Sequence, residues 1–254
     1  MEAYTSFAQV YDMFMDNIPY DKWCKYVIEI LKKNSVDNGL VLELGCGTGS
    51  VTRRIAQAGY DMIGIDNSED MLSIAREQNS EDILYLLQDM TEFELYGTVN
   101  AVISICDCMN YILEEEDLLK IFKLVNNYLE KDGVFIFDMN TEYKYRELLG
   151  DNVIAENRDT GSFIWENSYY EDEKINEYNL TLYIKDNEDG RYDRFEEVHY
   201  QRAYSIDKIK ELVEKAGLEF INVYDAFTFN EPNEKSERVY FIIKEGFQNN
   251  KKYI

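Results

Sequence analysis

Short apolar runs alternate with stretches in which apolar residues recur every three or four positions, and this rhythm holds through the first half of the chain. Runs at residues 40–44, 62–65, 83–87, 101–105 and 134–138 have the length and composition of buried strands. Between them, residues 20–33, 49–58, 68–78 and 117–130 each present one apolar face at helical spacing; in the first, Trp23, Val27, Ile30 and Leu31 make that face. The punctuation agrees: Gly59 stops one helix, Ser68 caps the next with Glu69 and Asp70 in its first turn, and Asp132-Gly133 makes a turn before the last strand. Strand–helix alternation predicts a parallel sheet with helices on both faces. Ahead of it, Tyr4, Phe7, Tyr11 and Phe14 fall at helical spacing and predict a further helix over residues 4–17.

After residue 140 the rhythm changes. Three extended segments, 162–170, 174–186 and 191–204, follow one another, and Tyr178, Leu180, Leu182 and Ile184 share a face by period-two spacing. They predict an antiparallel sheet inserted late in an α/β domain. Helical spacing returns at Ser205 and ends at Gly217, and strands at 218–226 and 238–243 close the pattern.

Composition narrows the partners. Fifty acidic residues against 26 basic ones leave a formal net charge of −24, and such a surface repels phosphate backbones. A nucleic-acid partner is therefore not expected, and a neutral or cationic small molecule is. The four cysteines, Cys24, Cys46, Cys106 and Cys108, are scattered and accompany a single histidine, so no metal centre is expected. Free thiols and an acidic, polar-interrupted start to the chain point to a cytoplasmic protein, and no apolar run approaches a membrane span.

The most informative stretch is GLVLELGCGTG at residues 39–49. A buried strand ends in Gly45, Gly47 and Gly49 and turns at once into a helix, whose first N–H groups are free. About 20 residues on, a second strand ends in Asp66, where an acid can hold the two hydroxyls of a ribose. The spacing is G-x-G-x-G, whereas dinucleotide sites use G-x-G-x-x-G, so a nicotinamide-dependent oxidoreductase is disfavoured. VLELGCGTG followed by GID at 64–66 closely resembles the first two motifs of the class I S-adenosylmethionine-dependent methyltransferases, on their small-molecule branch, similar to nucleotide-sugar N-methyltransferases.

That resemblance implies a Rossmann-like, doubly wound, seven-stranded α/β sheet with a closing antiparallel strand, S-adenosylmethionine as cofactor, and methyl transfer to N or O of a small-molecule acceptor. It divides the chain into a cofactor-binding core with an N-terminal helical lid, residues 1–140 and 204–246, and a substrate-capping insert, 141–203. Glu43 would hold the methionine amino end, Met71, Asp89 and Met90 the adenine side, and Cys106 would border the methionine part, with Tyr4 of the lid over the cofactor. Tyr11, Asp107, Asn110 and Tyr111 are expected to line the acceptor pocket. His199 is the candidate base, and Arg202 could grip a carboxylate or phosphate in bidentate fashion. Strand alternation puts His199 on one face with Gln201 and Arg202 on the other with Tyr200, and leaves open which face meets the pocket. The competing expectation is a regulatory protein that binds the cofactor without turnover. A homodimer is an expectation for measurement in solution.

Overall fold

The structure, a computed structural model, describes residues 18–78, 82–186 and 189–246. The expected lid residues Tyr4 and Tyr11 lie outside the described residues.

The first helix, α1, covers Tyr20–Lys33 and buries Trp23, Cys24, Tyr26, Val27, Ile30 and Leu31 along one side. It leads into β1 (Leu40–Leu44), α2 (Ser50–Gln57), β2 (Asp61–Asp66), α3 (Glu69–Glu77) and β3 (Ile83–Leu87). The chain then crosses to β4 (Val99–Ser104), a 3-10 turn at Cys108–Tyr111, α4 (Glu115–Tyr128) and β5 (Leu129–Asn140). After the second sheet come α5 (Ile206–Lys215), β10 (Glu219–Asp225) and β11 (Arg238–Lys244). The seven strands order as β10-β11-β5-β4-β1-β2-β3. Strands β1 to β5 pair in parallel, and β11 enters antiparallel to both β5 and β10.

Alternation along the central strands separates two cores. Val41, Ala101, Val134 and Tyr240 face α1 and α2, while Leu42, Val102, Phe135 and Phe241 face α4 and α5. Strand β5 is longer than the apolar run 134–138, because pairing with β11 from Val134 to Asn140 carries it onward.

The second sheet holds four antiparallel strands, β6 (Val153–Asn157), β7 (Gly161–Tyr170), β8 (Ile175–Lys185) and β9 (Tyr192–Arg202). Three of them match the extended segments read from the sequence. Strand β6 does not, because it is an exposed edge with no apolar alternation to announce it. Among the described residues no helix is long and apolar enough to cross a membrane.

Candidate functional site

Strand order reverses beside β1: β2 and β3 lie to one side of it, β4 and β5 to the other. Loops leaving such a point diverge and open a crevice at the carboxyl ends of the strands. A cavity of about 400 Å³ sits there, walled by the residues that follow β1, β2, β3 and β4.

The glycine loop forms its floor. Gly45, Gly47 and Gly49 all adopt positive φ, at 70°, 52° and 75°. Two of them show why glycine is needed. A Cβ on Gly49 would lie 2.3 Å from the Tyr85 hydroxyl, so the loop could not close over β3. A Cβ on Gly47 would meet nothing within 4 Å; this glycine answers to backbone conformation and leaves the backbone bare toward the cavity. The loop is anchored by Gly45 and Cys46 N–H groups donating to the Ile65 carbonyl at 2.9 and 3.0 Å.

Asp66 completes that anchorage. Its Oδ2 accepts from the Gly47 N–H at 2.8 Å and its Oδ1 from the Ser68 N–H at 2.9 Å, while the residue also lines the cavity. Burial raises its pKa, and the backbone N–H bonds pull the other way. Glu43 is 2% exposed and accepts a hydrogen bond from the Thr52 hydroxyl at 2.5 Å. Burial pushes its carboxyl up to about 8, with the Thr52 bond opposing the shift. Met71, Asp89, Met90, Cys106 and Tyr111 line the same cavity. Asp89 also accepts from the Thr91 N–H and hydroxyl, both at 2.7 Å, and so caps its own turn. Sequence reasoning missed Tyr20, at the start of α1, which reaches the cavity through packing between helices.

Among the described residues, the carboxyl groups of Glu43, Asp66 and Asp89 line the cavity, and no lysine or arginine does. This acid-rich, cation-free lining suits a cationic ligand and disfavours a pyrophosphate, even with the Glu43 carboxyl held protonated near neutral pH. Burial raises the Cys46, Cys106 and Cys108 thiols well above their ordinary pKa, so they are poor nucleophiles. Among the described residues no cluster suited to a metal ion occurs.

Beyond β4 the backbone turns left-handed at two non-glycine residues in succession, Cys106 at φ 69° and Asp107 at φ 53°. Such strain persists only where neighbours enforce it. Asp107 N–H donates to Asp138 Oδ1 at 3.1 Å, its Oδ1 pairs with Arg238 at 2.5 Å, and its Oδ2 accepts from Gln201 at 2.7 Å. Arg238 also pairs with buried Asp138 and lies over the Trp23 ring, 5.0 Å from its centroid. One guanidinium thus ties α1, β5 and β11 to the loop bordering the cavity. Asp138 and Arg238 were not singled out in the sequence; an acid ending the strand run 134–138 was the available signal.

Three residues expected at the acceptor pocket, Asn110, Arg202 and Asp107, do not line this cavity. Asn110 is fully buried, and its amide receives the Asn140 N–H at 2.9 Å while donating to the Arg202 carbonyl at 2.8 Å. It pins two chain segments together and stays off the cavity wall. The Arg202 guanidinium donates from Nη1 to the Leu113 carbonyl at 2.7 Å and lies over the Tyr204 ring. Asp107 is held between Arg238 and Gln201 behind Cys106. His199 lies on the inward face of β9 with Gln201, is 6% exposed, and has Nε2 3.0 Å from Glu197 Oε2. It does not line the cavity, but its ring meets that of Tyr111 edge-on at 6.0 Å.

A family model described as a methyltransferase domain matches residues 41–133. The putative methyltransferase YqeM of Bacillus subtilis is 35% identical over 94% of this chain and 95% of its own. A solved S-adenosylmethionine-dependent methyltransferase from Clostridium acetobutylicum superposes with a TM-score of 0.84 at 29% identity, covering 97% of this chain and all of that one. The amino pentose methyltransferase CalS10 of Micromonospora echinaspora, solved with S-adenosylmethionine bound, shares the fold with a TM-score of 0.73 at 16% identity, over 91% and 93% of the two chains.

Proposed function

The chain belongs to the S-adenosylmethionine-dependent methyltransferases, and from that membership we propose that it methylates a nitrogen or oxygen of a small-molecule acceptor. The observation that carries the proposal is how the second sheet meets the cavity. Loop 105–113, which forms one wall, is stitched to the end of β9 by four contacts: Gln201 to Asp107, Asn110 to the Arg202 carbonyl, Arg202 to the Leu113 carbonyl, and the Tyr204 hydroxyl to the Ile112 carbonyl at 2.6 Å. We read residues 141–203 as the unit that encloses a small-molecule acceptor. The sugar methyltransferase CalS10 shares this architecture and supports the same reading.

In this reading Asp66 holds the ribose hydroxyls, Glu43 the methionine amino end, and Met71, Asp89 and Met90 the adenine. Bound S-adenosylmethionine supplies a methyl group already activated by its sulfonium. The chain's own work is to align the acceptor and exclude water. Cys106 and Asp107 hold a strained backbone at the border of the reacting group, and Tyr111 forms the wall toward the acceptor. A protonated amine or a hydroxyl must lose a proton, and His199, steadied by Glu197 and set against Tyr111, is our candidate to receive it. The test is incubation with methyl-labelled S-adenosylmethionine and a cell extract separated into protein, nucleic-acid and small-molecule fractions. Label in the small-molecule fraction is the expected result, and label only in the polymers rejects the proposal.

A further inference from the structure

The inner face of the second sheet contains an anomaly. Trp165 Nε1, the Tyr169 hydroxyl and Asn176 Oδ1 are buried and, among the described residues, have no hydrogen-bond partner. Native interiors rarely leave such groups unpaired, since each forfeits its bond to water without replacement. All three share one face of the sheet, and Trp165 and Tyr169 both pack against the cluster of Tyr145, Tyr178 and Ala203. Tyr169 sits directly across from Asn176 in the β7–β8 ladder, and Asn176 across from Gln201 in the β8–β9 ladder. The Trp165 ring meets Tyr178 at 5.1 Å, and Tyr145 stacks on Tyr169 at 6.4 Å.

Gln201, the polar group directly across from Asn176, is already fully engaged. Gln201 Oε1 already receives the Tyr145 and Tyr178 hydroxyls at 2.9 and 2.6 Å, and its Nε2 donates to Asp107. That last bond joins the cluster to the residue that follows Cys106 at the cofactor cavity.

We propose that Trp165, Tyr169 and Asn176 are the recognition site for the methyl acceptor, and that they select a neutral ring bearing hydroxyl groups. The proposal rests on the small-molecule reading above. Its chemistry follows from the three atoms. An indole N–H only donates, an amide oxygen only accepts, and a phenol does both. Hydroxyl groups on one ring can answer all three, whereas a carboxylate or phosphate could not donate to Asn176. The faces of Trp165 and Tyr169 suit the C–H face of a saturated ring. Tyr145 covers the cluster from the single π-helical turn Lys144–Leu149, which ends at Gly150 with φ 45° and ψ −135°; this is the side chain an entering ring must displace.

The isosteric substitution Tyr169→Phe removes one unpaired hydroxyl and nothing else. Without acceptor it should raise the melting temperature by about 2–4 °C. In the labelled extract it should lower transfer to the wild-type product at least tenfold through KM, with S-adenosylhomocysteine affinity unchanged, and that product should be a neutral hydroxylated ring. A lower melting temperature, equal labelling of the same product by wild type and variant, or an anionic or hydroxyl-free product overturns the site while leaving the small-molecule reading standing. A wild type that labels no small molecule sinks that reading, and the recognition site with it.

Discussion

Asp66 serves two partners, and substituting it separates them. Its carboxylate receives the Gly47 and Ser68 N–H groups at 2.8 and 2.9 Å, and also faces the cavity. Hydrogen bonds to a charged group contribute about 1.5–3 kcal/mol net each, so Asp66→Ala removes about 3–6 kcal/mol of loop anchorage, reduced by relief of a carboxylate that burial already disfavours. Loss of the proposed ribose contact should cost about 1–3 kcal/mol more on binding, which corresponds to roughly 5- to 150-fold in affinity. Asp66→Asn keeps one acceptor and turns an amine toward one of the two backbone donors, so it should fall between Ala and the native residue in both respects. Isothermal calorimetry with S-adenosylhomocysteine, paired with thermal melts, measures the two effects on the same samples. Affinity within about twofold of wild type for Asp66→Ala, on a protein that still folds, would refute the ribose role even if the melting temperature drops; no change in either quantity would refute the anchoring role too.

Glu43 gives a pH prediction. Its folded pKa, about 8, lies above the unfolded value, so the folded state holds an extra proton in between and stability from this group declines as pH rises from about 4.5 to 8. Glu43→Gln should flatten that decline in the ligand-free protein, by an upper bound of order 5 kcal/mol, in melts taken across this range. Arg238→Met leaves Asp107 and Asp138 without their cation and should cost about 3–5 kcal/mol in urea denaturation, with Asp138→Asn in the same chain recovering part of it. Gly49→Ala should lower melting temperature and cofactor affinity more than Gly47→Ala, because only the former drives a Cβ into Tyr85, and Tyr85→Phe should partly rescue it.

What was legible in the sequence was what neighbouring residues decide among themselves. Short continuous apolar runs announced β1 and β5 as strands buried on both faces, and three glycines at alternate positions announced a loop of positive φ. An acid closing β2 announced the other side of the cavity. These signals are local because a strand's two faces and a turn's dihedrals are set within a few residues. The structure alone decided what meets across long separations. Arg238 reaches Asp107 over 131 positions, and Asn110 reaches the Arg202 carbonyl over 92, so two acceptor-pocket candidates also fasten distant elements together. The inward orientation of His199 and Gln201 followed from the pairing of β9 with β8 and its docking on loop 105–113, neither of which leaves a trace in the order of residues along β9 itself. Edge strand β6 has the same explanation: exposed on both sides, it owes its existence to β7, and pairing partners are a property of the folded chain.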